Sequence, residues 1–85
     1  MLVQRNLDDI AKQSINIIRR LDDCCEKTLY LVHNKNTNDL IIIDNDHDLT
    51  DDTMLVSTML VTGRTTALDV MRHFEPSLRE YMNGN

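Results

Sequence analysis

The sequence predicts a small single α+β domain in the order helix, strand, strand, helix, helix. Three observations carry that expectation. Apolar or small residues recur at Val3, Leu7, Ile10, Ser14, Ile17, Leu21 and Cys24, alternating steps of four and three that stay on one face of a helix. From Thr28 the pattern changes to "TLYLVHNKNTNDLIIIDN", two β-branched, aliphatic and aromatic runs around a polar bend. Ala67, Leu68, Met71, Phe74, Leu78 and Tyr81 then return to helical intervals.

The first helix is expected over about residues 7–26, with Asn6 and Asp9 spaced to cap its free backbone N–H groups. Ala11, Ile15, Ile18 and Cys25 widen its apolar stripe beyond a narrow seam. That width predicts a second use for the helix, as a homodimer contact through the face holding Ile10, Ile17 and Leu21. A hairpin follows, with strands over about 28–33 and 39–44 and a bend marked by Asn and Asp between Asn34 and Asp39. Consecutive Ile41, Ile42 and Ile43 leave the second strand no polar face, so both of its sides are expected to be covered.

"TMLVSTMLVTG" fits either a helix or a strand by periodicity. Thr50 is placed as an N-cap, Leu49 and Met54 are spaced for a hydrophobic staple, and Gly63 suits a helix end, so a helix is expected over 51–62. The last helix is expected over 66–82, opened by Thr66 and Asp69 at capping-box spacing and bent or restarted at Pro76. Residues 83–85 form a frayed tail.

Composition narrows the class. With 41% hydrophobic and 27% charged residues the chain is too apolar for a disordered one, and its 85 residues make a single domain. The longest aliphatic run is Leu40–Ile43, and "MLVQRNLDD" lacks the basic region and apolar stretch of a signal peptide, so a cytoplasmic protein with no membrane contact is expected. Adjacent Cys24 and Cys25 cannot readily bridge each other and have no spaced partner for a metal, so they are read as small buried hydrophobes. The net charge of −5 lies wholly in residues 1–52, which hold six basic and eleven acidic residues; residues 53–85 hold three of each. An acidic first part discourages phosphate backbones and favours basic partners.

The densest polar feature is "DNDHDLTDD", residues 44–52. Asp44, Asp46 and Asp48 match the first ligand steps of a calcium loop, but the positions of the turn glycine and the closing glutamate are Leu49 and Leu55. A zinc reading fails because His47 has no spaced His or Cys nearby. No metal and no cofactor is therefore expected. The structural account has Asp44–Asp46 turn the chain, Thr50 cap a helix, and Asp51 and Asp52 favour its dipole. Asp44, Asp46, Asp48, Asp51 and Asp52 then form an acidic edge for a basic partner.

Enzyme chemistry finds little purchase. Two glycines exclude a P-loop or a dinucleotide fingerprint, and His33, His47 and His73 stand on separate segments. Residues 51–74 also outline a helix-turn-helix that would point Arg64, Thr65, Thr66 and Arg72 at DNA bases, set against a segment of zero net charge. Met54, Met59 and Met71 are read as gap-fillers of a small core before an adaptable groove. The leading expectation is a non-catalytic acidic protein that binds another protein, as regulators, inhibitors, antitoxins and immunity proteins do. A DNA-binding regulator comes second, and a small metal-dependent or acid-base enzyme third.

Overall fold

A computed structural model describes residues 2–83, with side chains described from residue 5 to residue 82. The chain is α+β. Two helices, α1 (Leu2–Ile18) and α2 (Ala67–Asn83), cover one face of an antiparallel sheet of β1 (Glu26–Asn34), β2 (Asp39–Ile43) and β3 (Thr53–Thr62), in the order β2-β1-β3. The expected order of one hairpin and three helices is thus corrected to three strands and two helices.

β1 lies at the centre, and its alternation sets the two faces. Leu29 and Leu31 point to the helices and are fully buried, as is Val61 of β3, and Ile42 of β2 joins them in the core. α1 adds Leu7, Ile10 and Ile18, and α2 adds Val70, Phe74 and Leu78 at steps of four. Ser14, buried in the α1 face, satisfies its hydroxyl by donating to the Ile10 carbonyl at 2.8 Å.

The hairpin forms where the sequence placed it. Asn34 Oδ1 accepts from the N–H groups of Asn36 and Thr37, and Asn38 takes the left-handed conformation at φ 60°, which asparagine tolerates. α2 begins as expected, directly after Thr66. It then runs through Pro76 as one element, with neither break nor restart. The tail expected over 83–85 lies outside the described residues except for Asn83, which ends α2.

Three expectations are overturned. α1 starts at Leu2, so Asn6 is inside the helix and cannot cap it; its side-chain amide instead meets Met82 Sδ at 3.7 Å. α1 also stops at Ile18. The N–H groups of Arg20 and Leu21 reach back three residues, to Ile17 and Ile18, and this tightening ends the helix before Cys24 and Cys25, which are exposed. Residues 53–62 are strand, not helix. Half of them are Val or Thr, and a lone two-stranded hairpin gains a third strand by recruiting them. Their apolar triplets do not alternate cleanly, and a bulge reconciles the two: Leu31 pairs with Ser57 but Val32 pairs with Leu55, leaving Val56 as the extra residue.

That third strand reshapes the acidic stretch. β2 and β3 flank β1 and run parallel to each other; β2 ends at Ile43 opposite Tyr30, while β3 starts at Thr53 opposite Asn34. Residues 44–52 must therefore travel back along the sheet. The helices hold one face, and Asp44, Asn45, Asp46 and His47 border Thr28 and Tyr30, which point to the other. The connection is a strap over the face opposite the helices. Val32, on that face, is 0% exposed although no helix covers it, and Leu49, the strap's one apolar residue, is partly buried.

Gly63 sits between β3 and α2, where the α1–β1 loop crosses. A Cβ there would stand 2.8 Å from the carbonyl oxygens of both Leu21 and Asp22. Backbone cannot step aside as a flexible side chain would, so Gly63→Ala is expected to cost about 1–3 kcal/mol. Urea unfolding followed by circular dichroism measures it, and an unchanged midpoint would show that the loop yields.

Candidate functional site

The strap is held by its own hydrogen bonds. Asn45 Oδ1 accepts from the His47 N–H at 2.7 Å and caps a single 3-10 turn over Asp46–Asp48. Thr50 caps no helix: its carbonyl accepts from the N–H and the hydroxyl of Thr53, at 3.1 and 2.9 Å, in a tight turn that launches β3. The Asp52 carbonyl accepts from the Lys35 N–H at 2.7 Å and ties the strap's far end to the hairpin. The Leu49–Met54 staple is absent because Leu49 is in the strap and Met54 in β3.

Of the five aspartates, Asp44 faces Lys27 at 3.6 Å, and Asp46, Asp48, Asp51 and Asp52 are exposed. Among the described residues no group of three or more His, Cys, Asp or Glu is placed to hold a metal ion. The histidines stand apart. His47 lies on the strap. His33 donates from Nε2 to Asn38 Oδ1 at 2.7 Å and packs edge-on against Tyr81 with ring centroids 5.4 Å apart. It borders a cleft of about 720 Å³ shared with Lys12, Gln13 and Asp39. Its Nδ1 is buried without a hydrogen-bond partner, so neither ring nitrogen is presented to that cleft as a free base.

The residues of the helix-turn-helix outline go elsewhere. With 53–62 in a strand there is no first helix, and Arg64 lies in the β3–α2 turn, 3.8 Å from Asp23. Thr65 Oγ1 accepts from the Thr62 N–H at 2.9 Å. Thr66 and Asp69 form the reciprocal capping box: Asp69 accepts from the Thr66 N–H at 3.0 Å and Thr66 Oγ1 accepts from the Asp69 N–H at 3.2 Å. Arg72 is exposed on α2. The α1 stripe expected to form a dimer is also spent, since Ile10 is 1% exposed and Ile17 and Leu21 pack against the core. Met59 and Met71 pack against the core as gap-fillers, whereas Met54 is exposed.

What the sequence reading missed is the surface beside the strap. β3 is an edge strand of ten residues with no charge, proline or glycine. Leu55 and Leu60, in register with Val32 and Thr28, lie on the strap's face of the sheet and are 48% and 59% exposed. Asp51 and Asp52 adjoin β3 at its start, while Asp46 and His47 border Thr28 near Leu60. The available signal was the long uncharged run, Thr53–Thr62, after a run so charged. The two sheet edges are treated differently. β2 is five residues long, starts at an aspartate, and has its outward Ile42 N–H covered by Gln13 Oε1 at 2.9 Å. On β3, His73 Nε2 donates to the Thr58 carbonyl at 2.6 Å.

Compared with protein-family models, curated proteins and solved structures, the chain matches none. Among the described residues no helix is long and apolar enough to cross a membrane.

The capping box yields a pH test. The Thr66 backbone N–H first, and then its hydroxyl, hold the Asp69 carboxyl below the usual carboxylate range, with Arg72 adding attraction. A depressed carboxyl stabilises the fold above its unfolded value, about 3.9, and that stabilisation fades as pH falls through the lower folded value. Thr66→Ala is expected to cost about 1 kcal/mol at neutral pH. The gap in urea midpoint between wild type and Asp69→Asn is expected to narrow between about pH 7 and about pH 2. An equal gap at both would show that the carboxylate adds nothing to the cap.

Proposed function

We propose that this protein is a non-catalytic binding module that docks another protein on the face of its sheet opposite the helices. One observation carries the reading: the strap holds exposed Asp46, Asp48, Asp51 and Asp52 on the same face as exposed Leu55 and Leu60. Such a surface fits a partner segment that combines basic and apolar side chains. The carboxylates speed encounter and fix orientation, while the leucines supply area to bury. Asp44, engaged by Lys27, contributes less than its neighbours. Regulators, inhibitors, antitoxins and immunity proteins are the roles in keeping with a domain of this size and charge. The exposed free thiols of Cys24 and Cys25 suit a reducing compartment, and a cytoplasmic setting is part of the proposal.

Three baits test it in cells that naturally carry the chain: wild type, the variant with Asp46, Asp48, Asp51 and Asp52 all changed to Asn, and the Leu55→Ser, Leu60→Ser double variant. A protein captured by wild type and lost from both variants, with their folds intact by circular dichroism, is the expected result. Identical captures on all three baits would overturn the reading.

A further inference from the structure

Beyond the docking face, we infer that the outer edge of β3 pairs with β3 of a second copy of this chain, joining two sheets into one about a two-fold axis. Alternation along β3 decides which groups are available. Ser57, Met59 and Val61 face β1 in the ladder, so the N–H and C=O groups of Thr58 and Leu60 point outward. Hydrogen bonds confirm the direction, since the Thr58 carbonyl is met by His73 and the Thr62 N–H by Thr65, both from outside the sheet. Setting Thr58 opposite Leu60 of the copy lets each such pair exchange both of its N–H···O bonds, with Met59 of the two chains across the axis. The Leu60 side chain, 59% exposed in the single chain, then gains a cross-strand neighbour on the open face.

Charge and closure select a second copy as the occupant. Two chains of net charge −5 repel wherever their acidic parts meet, but that whole excess lies in residues 1–52, and residues 53–85, which make β3 and α2, are neutral. This is the side on which an acidic chain can approach its own copy. Two-fold symmetry also sets the α2 helices antiparallel, which brings the Asp69 end of one toward the Arg79 end of the other. β2 is the poorer edge for the pairing, because it is half the length of β3 and Asp39 and Asp44 bracket it with charge. Because the pairing uses the same edge of both chains about a two-fold axis, the assembly closes as a dimer and does not grow into a fibre. His73 sets the threshold, since it competes for the Thr58 carbonyl that the incoming Leu60 N–H needs.

Light scattering and sedimentation equilibrium of the full chain across a concentration series should give, at the high end, a dimer mass that dissociates on dilution. Thr58→Lys places a charge on the seam and its symmetry mate, and is expected to weaken association about tenfold or more. His73→Ala is expected to strengthen it. Amide exchange at Thr58 and Leu60 in wild type should slow as concentration rises, which tests the edge without any variant. A monomer mass for both wild type and His73→Ala overturns the inference, as does a dimer whose Thr58 and Leu60 amides exchange at the same rate at every concentration. Both results are read on the chain alone, with no docking partner in the sample, so their failure is distinct from failure of the docking face even though Leu60 belongs to both.

Discussion

The structure depends on a topological constraint placed on β1. This strand has a neighbour on each side, and both run antiparallel to it, so β2 and β3 are parallel and cannot be joined by a short turn. Nine residues, 44–52, have to carry the chain back along the sheet. The helices already fill one face with Leu7, Ile10, Val70, Phe74 and Leu78, which leaves the return to the other. From that follow the burial of Val32, the placement of the aspartates, and the exposure of Leu55 and Leu60 at the margin the strap does not reach.

The division of labour between the two faces has a chemical logic. The helix face is apolar and buries no ionised group among the described residues. Its one buried polar side chain, Ser14, bonds within its own helix. The strap face is built from small turns in which Asn45, Thr50 and Thr53 satisfy backbone groups, so its carboxylates are left to water. Carboxylates crowded on so short a segment repel one another, and a run of this kind would extend away from the domain if nothing held it. Two anchors keep it in place: the Lys35 N–H at the far end and Lys27 facing Asp44 at the near end. The half-exposed ion pair adds little energy, so the backbone hydrogen bond at Lys35 is the firmer of the two.

Much of this was legible in the sequence, for reasons that differ by element. The 3.6-residue spacing of Leu7, Ile10 and Ser14, and of Phe74 and Leu78, reports burial of one helix face directly, although Leu68 on the expected stripe is 54% exposed and Val70 beside it is buried. The Asn-rich bend and the Thr66–Asp69 box are local chemistry, readable without the rest of the chain. β3 was hidden because its evidence is not local. Met54–Val56 and Met59–Val61 suit a helix as well as a strand, and what decides is the vacant side of β1 and the bulge at Val56 that re-phases the run. Read as a helix, residues 53–62 turn Thr50 into a cap and residues 44–52 into an ordinary loop. The end of α1 was misplaced for a related reason: Leu21 and Cys24 continue the periodicity past Ile18, but the chain has to turn there to deliver β1 to the centre of the sheet.

One detail of the helix pair reaches outside the domain. The amide of Asn6, in the early turns of α1, meets Met82 in the last turn of α2. The early turns of α1 and the last turn of α2 therefore lie side by side. A domain with that property can be carried in a loop of another protein, or have its ends joined and reopened at the Asn34–Asp39 bend, without drawing on the sheet or the packed helices. Neither arrangement disturbs residues 44–52 or β3.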